Sequence, residues 1–396
     1  MTRASFLSRQ AVAGALLGLG LCVAGPVWGQ SLFSTGGLGL VADPQDARGS
    51  ALGGIGLGLP GPEISWSNPA GAVGLPAAGL RVSFQLDGYD ATFAGRGSTG
   101  STARFPLILG AFPFGSRWAV TAGFAGMLDQ NWRFEQLDTL VVGTDSVQVL
   151  DRVSSEGGVS RFRVGAGYRP LSTLSIGLGA ELFTGGVRRI SGRIFPGQAA
   201  PACCSASWAY SGVGALGSVD WTPSEAVSVA LAASAGGSLD AEVDTARSGD
   251  DAVDASYDLP VMVNAAASGR IAPNVLLTLG GDWAGWSSLN DALEEQGGAR
   301  DSWSVQGGVE VELFQILGQP LPVRLGARTE RLPFRWAGDA NEWADERALT
   351  GGTGLGFSGG AARVDLSVER GTRGSESAGL EESYWRFLFS ATVLGR

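Results

Sequence analysis

Acid–base, nucleophilic and metal chemistry each need particular side chains, and the 396-residue chain supplies few of them: 38 Asp and Glu, 28 arginines, three cysteines, no lysine and no histidine. Without imidazole, a Ser-His or Cys-His relay cannot be built, and metal sites lose their commonest ligand. Glu310 and Glu312 sit two residues apart. Carboxylates at that spacing share one face of a strand, where neighbouring arginines neutralise them more often than a substrate does. Cys203 and Cys204 are adjacent in a polar loop. A vicinal disulfide, an interchain pair and free thiols are all open to them in an oxidising compartment. No catalytic residue, metal ligand or cofactor is expected.

The remaining candidates are positioned by strands. Leu80, Val82, Phe84 and Leu86 alternate with Arg81, Ser83, Gln85 and Asp87, and Trp303 to Leu313 and Trp385 to Val393 repeat the pattern. That is the period of two of a β-strand. Fourteen such segments run from residue 79 to 394 and place charge on one face and apolar side chains on the other. Short turns, such as Gly115-Ser116 and Ile271 to Pro273, alternate with longer polar connections at 129 to 156, 188 to 206, 241 to 256 and 287 to 300. Short and long connections alternate in this way in transmembrane barrels, where strands of about ten tilted residues cross the bilayer. Trp118, Tyr168, Trp221 and Trp385 fall near strand ends, where aromatic girdles form. The expected fold class is all-β, a transmembrane antiparallel β-barrel of about 14 strands with an N-terminal plug.

Arg3 and Arg9 precede an apolar run from Ala11 to Ala24, followed by Val27-Trp28-Gly29. Such a segment reads as a signal peptide over 1–29. Its removal takes the formal charge from −10 to −12, which argues against nucleic acid as a partner. Residues 30–78 are apolar and rich in glycine and proline without alternation, as expected of a hatch folded inside the barrel of 79–396. Glycine reaches 63 residues, far above the usual share of about 7%.

Within the hatch stands Asn68-Pro69-Ala70, just ahead of the first strand, and Leu259-Pro260-Val261 and Asp282-Trp283 follow in the barrel. With the fourteen-strand pattern, these residues resemble the outer-membrane long-chain fatty acid transporter (FadL) superfamily. The resemblance implies bacterial outer-membrane localisation and passage of hydrophobic, fatty acid-like molecules through a plugged barrel. It implies a hatch at Asn68, Pro69 and Ala70, a wall opening, and a single-chain barrel. Pro106, Gly123 and Gly126 are the candidates for the opening, because proline removes a ladder bond and glycine permits a bulge. Trp286, expected to face inward near the outer rim, and Arg324 and Arg328 are candidates for the lumen or a ligand. Arg324 is expected to pair with Glu312 across a turn centred near Gly318, and Arg328, Glu330, Arg363, Asp365 and Glu369 to extend that network. A PorV-like branch of the same fold implies a different role, with outer loops serving secreted proteins. Trp385 to Phe389 is the aromatic segment available to the barrel assembly machinery, because the chain ends Val393-Leu394-Gly395-Arg396 without a terminal phenylalanine. Membrane lipid and a hydrophobic small molecule complete the expected partners.

Overall fold

The computed structural model describes residues 31–93, 96–142, 145–198, 204–246, 252–316, 318–336 and 343–395. The expected signal segment and Cys203 lie outside them; Cys204 is disulfide-bonded. After a 3-10 turn at Leu32–Thr35 come a hatch strand, β1 (Leu40–Val41), and a short helix, α1 (Ala47–Ala51). The wall begins with β2 (Gly79–Phe93), β3 (Arg96–Phe114), β4 (Trp118–Asp129), β5 (Trp132–Val142), β6 (Asp145–Leu171) and β7 (Leu174–Ile194). It continues through β8 (Ser205–Ser224), β9 (Val227–Ala246), β10 (Ala255–Asp258), β11 (Val261–Ala272) and β12 (Val275–Ala284). It ends with β13 (Ser302–Ile316), β14 (Gln319–Arg331), β15 (Asp345–Phe357), β16 (Ala362–Ser375) and β17 (Leu380–Leu394).

Consecutive strands pair antiparallel, and β17 returns to β2 from Leu394↔Gly79 to Leu380↔Phe93. The sheet therefore closes on itself with fourteen wall strands. Closure is what a bilayer demands, since an unpaired edge in lipid would strand polar backbone groups at several kcal/mol each. The other three strands are additions. β1 belongs to the hatch, β5 pairs with the outer half of β6, and β10 pairs with β9 above the Leu259–Pro260 break that precedes β11.

Alternation places residues as the pattern requires. Val82, Phe84 and Leu86 face outward, while Arg81, Ser83, Gln85 and Asp87 are buried inside. Trp118 and Tyr168, with ring centroids 4.3 Å apart, and Trp221 mark the short-turn, periplasmic rim. Trp283, Trp303 and Trp385 face outward at the opposite rim. Much of the chain expected in outer loops is strand instead. β6 alone runs 27 residues and pairs with β5 as far as Asp145, so 129 to 156 is largely a hairpin rather than a loop. Above the membrane neither face meets lipid, so the contrast between faces fades while the hydrogen-bond ladder continues. The segment 287 to 300 does leave the sheet, folding as short 3-10 turns at Trp286–Leu289 and Glu294–Gln296.

Candidate functional site

Residues 31 to 78 occupy the lumen from end to end. The segment starts at the outer rim, where the Ser31 hydroxyl donates to Glu382 at 2.8 Å. It descends through α1 and reaches the periplasmic rim at Pro60–Pro62, beside a cavity of about 1210 Å3 that includes Arg169, Asp220 and Arg270. α1 forms because Asp46 caps it, accepting from Arg48 N at 2.8 Å and Gly49 N at 3.0 Å. The same carboxylate takes the Arg81 guanidinium of β2. One acid thus stabilises the helix start and ties it to the wall.

Backbone-to-backbone approach explains part of the glycine excess. A Cβ on Gly326 of β14 would stand 2.3 Å from Gly53 N, and one on Gly177 of β7 would stand 2.7 Å from Ala70 N. Both glycines face the lumen and let the hatch lie directly on the sheet. Asn68, Pro69 and Ala70 are buried in that second cradle. Asn68 donates to Asp220 at 3.2 Å, and Pro69–Ala72 forms a 3-10 turn. Trp66 lies under two arginines of β6, 4.3 Å from Arg163 and 5.6 Å from Arg161, and Arg163 also donates to the Trp66 carbonyl.

Two ion networks line the opposite wall. Arg48 of α1 grips Glu310 through Nε at 3.2 Å and Nη2 at 3.1 Å. Glu310 also accepts from Arg324 at 2.6 Å, and Arg324 reaches Asp365 at 2.8 Å, which Arg363 holds in turn at 2.8 Å. The second network surrounds Tyr384: Arg328 bridges Glu346 and Glu369, Arg373 bridges Glu346 and Glu382, and Arg386 bridges Asp87 and Glu369. Arg324 and Arg328 therefore lie in the lumen with acids around both guanidinium groups. Glu330 lies 3.9 Å from Arg328. The partner of Arg324 is Glu310 rather than the expected Glu312, because the turn pairs Ile316 with Gln319, one residue off a centre at Gly318, and a register shift between Glu312 and Phe314 adds one more, placing Glu312 opposite Pro322. A bulge moves every pair beyond it along the ladder, and sequence spacing alone does not reveal it.

Replacing Asp46 by alanine removes the cap and leaves Arg81 facing Glu63 at 3.6 Å as its remaining acid. The loss should be on the order of 2–4 kcal/mol of local stability, from the missing cap and the weakened buried pair. Hydrogen exchange at the α1 amides checks it: exchange should accelerate there while the β8–β9 ladder stays protected.

In its outer half the lumen is apolar on the side of β4 and β6–β9, across from the Tyr384 network. Trp286 is buried at the mouth, 5.2 Å edge-on to Phe334. With Leu289 and Leu293 from the same turns it packs on Leu38 of the hatch and on Met127, Phe183 and Leu239 of the wall.

The wall is interrupted beside the hatch. β3 and β4 pair from Phe114↔Trp118 up to Leu107↔Ala125 and no further. Above that point β3 stays paired with β2, whereas Leu128 and Asp129 of β4 pair with Val41 and Leu40 of β1. The resulting window is a cavity of about 300 Å3 bounded by Phe105, Pro106, Phe124, Gly126, Asp43 and Arg104. Arg104 spans it, 3.2 Å from Asp129. Pro106 and Gly126 border the window. Gly123 lies just below, in the paired stretch opposite Leu109. The sequence signals that could locate the window are the proline in β3 and the glycines Gly123 and Gly126 in β4.

A closed fourteen-strand barrel with an apolar exterior and a hatch threaded through its lumen defines the class: a plugged outer-membrane barrel of FadL type. Solved structures of that fold match over nearly their full length. A Pseudomonas aeruginosa FadL homologue aligns with a TM-score of 0.64 at 13% identity, covering 89% of this chain and 99% of that chain. The CymD monoaromatic hydrocarbon channel aligns at 0.55 and 16%, covering 91% and 98%. The Pseudomonas putida toluene transporter TodX aligns at 0.58 and 13%, covering 89% and 99%. Residues 16–248, more than half of the chain, match the BamG family model, and the chain belongs to the BamG family. No curated protein matches the sequence.

Proposed function

We propose that the chain admits hydrophobic small molecules, fatty acid-like in character, to the outer membrane through its plugged barrel. The observation that carries this reading is the window between β3 and β4. It joins the hatch to the lipid-facing exterior beside the apolar side of the upper lumen, so an apolar solute leaving sideways would enter lipid rather than periplasmic water. The neighbours that share the fold carry toluene and aromatic hydrocarbons by their names, which supports a hydrophobic cargo. The nature of the lining agrees: Trp286, Leu289, Leu293 and Phe183 offer apolar contact, and the luminal arginines are already matched by acids. Entry would displace the Trp286–Leu293 turns, and exit would require Arg104 to release Asp129.

A second reading, action on protein partners at the cell surface, is favoured by the outer extension. β5 pairs with β6 along its inner edge and leaves the other edge of an eleven-residue strand without a described partner, and Phe134, Leu137 and Val141 on it are exposed. Strand addition to such an edge is an established mode of recognition. Mass spectrometry of lipids and proteins retained by the purified, detergent-solubilised chain separates the two. Enriched fatty acid or hydrocarbon, lost from a variant lacking residues 31–75, supports transport. An empty barrel that co-purifies stoichiometric protein supports the second reading and sinks the first.

A further inference from the structure

The outward face of the barrel is apolar through the bilayer and must change character at each interface. On β14 the outward residues rise from the periplasmic end as Val323, Leu325, Ala327 and Thr329, then Arg331. On β15 they are Leu355, Thr353, Gly351 and Leu349, then Arg347. On β16 they are Val364, Leu366 and Val368, then Arg370. Three adjacent strands thus each end their lipid-facing run at an arginine. The flanking strands end theirs at tryptophan: Trp303 on β13, opposite Arg331, and Trp385 on β17, opposite Arg370. Those tryptophans fix the height as the outer interface, because the long connections lie on that side.

Register brings the three side chains together. Arg331 faces Asp345, two residues from Arg347, and Arg347 faces Thr372, two residues from Arg370. Diagonal neighbours on one face of a sheet lie about 7–8 Å apart, within reach of arginine side chains. Their charge is not cancelled locally: Asp345, the nearest acid by register, is held by Arg300 at 2.8 Å. Among the described residues, none of the three arginines forms an ion pair. The Arg370 guanidinium lies 5.3 Å from the centroid of the Trp385 ring, and its Nη1 is buried without a hydrogen-bond partner. On a chain of net negative charge, this is a concentrated outward positive patch at the lipid surface.

We propose that Arg331, Arg347 and Arg370 form a binding site for the phosphate groups of a phosphorylated lipid in the outer leaflet. Guanidinium forks match phosphate oxygens in pairs, Trp385 holds Arg370 in place, and the apolar strip below, with the shallow groove at Gly351 between Leu366 and Phe387, accepts acyl chains. The site does not depend on the barrel's cargo.

Native mass spectrometry of the detergent-solubilised full chain with bisphosphorylated lipid A, its dephosphorylated form and inorganic phosphate tests this. The wild type should retain the phosphorylated lipid and not the dephosphorylated one. Each arginine near a lipid surface is worth roughly fivefold in affinity, so Arg370→Gln should weaken retention about fivefold and the triple Arg331→Gln, Arg347→Gln, Arg370→Gln variant about a hundredfold. Arg188→Gln, an exposed arginine on β7 away from the patch, should change nothing. If the triple variant fails to fold, judged by heat-modifiable mobility, the single variant still decides. Equal retention by wild type and Arg370→Gln, retention of the dephosphorylated lipid, or full displacement by inorganic phosphate would each overturn the proposal, the last in favour of a free-phosphate site.

Discussion

Glu346→Ala is expected to destabilise the barrel by about 3–5 kcal/mol, the largest single effect among the luminal acids. Glu346 is almost completely buried, and its two oxygens serve both Arg328 and Arg373 while accepting from the Tyr384 hydroxyl at 2.6 Å. Its removal leaves Arg328 with Glu369 at 2.8 Å and Arg373 with Glu382 at 3.1 Å, so three arginines around Tyr384 lose one of their four acids in a buried site. The cost is mainly the desolvation of cations no longer compensated, not the worth of the lost contacts. Glu346→Gln keeps a hydrogen-bond acceptor and should fall between wild type and alanine. Urea unfolding in lipid vesicles, followed by tryptophan emission, measures the difference. A shift below about 1 kcal/mol for alanine would show that water already reaches the network and screens it as it screens a surface pair.

Gly326→Leu should expel the hatch helix while sparing the barrel. The position faces the lumen, and its new Cβ would meet Gly53 N at 2.3 Å and Leu52 C at 2.5 Å, both backbone atoms with nowhere to move. Overpacking ordinarily costs about 1–3 kcal/mol when side chains can shift; here the whole 49–55 turn must leave, and with it the Arg48–Glu310 pair. Limited proteolysis should cut within residues 42–62 in this variant and not in the wild type, with unchanged heat-modifiable mobility. Gly351→Leu is the matched control on the neighbouring strand. It faces lipid, its nearest contacts are ordinary ones at 3.6 Å, and it should leave the hatch protected.

Much of this was legible in the chain. Alternation at Leu80–Asp87 and Trp303–Leu313 identified wall strands and their inner faces, because in the membrane one side must be apolar and the other need not be. The outer extension was hidden, since Arg133 to Val142 mixes polar and apolar residues on both faces once lipid is left behind, and its pairing with β6 rests on backbone bonds that no side chain reports. Arg324 and Arg328 could be placed in the lumen by parity, but the position of the turn and the bulge at Glu312–Phe314, one residue each, made the choice of Glu310 over Glu312 invisible. Glycine abundance was plain in composition; that Gly177 and Gly326 serve as seats for Ala70 and Gly53 required knowing where the hatch lies. Pro106 and Gly126 stood out as breaks in pattern, yet only the pairing of Leu128 and Asp129 with the hatch strand shows that they border one window.

The window is the feature on which the transport reading stands. Gly126 borders it, and a Cβ added there meets no more than the Ala42 methyl, at an ordinary 3.7 Å, so the backbone tolerates a side chain at this position and the Gly126→Trp indole should fill the gap. Uptake of labelled oleate by cells expressing equal amounts of folded wild type or Gly126→Trp is the most direct measurement. The account predicts uptake well above the empty-vector level for wild type and a fall to near that level for Gly126→Trp. Wild-type uptake no greater than empty vector, or uptake that Gly126→Trp leaves unchanged, would contradict it.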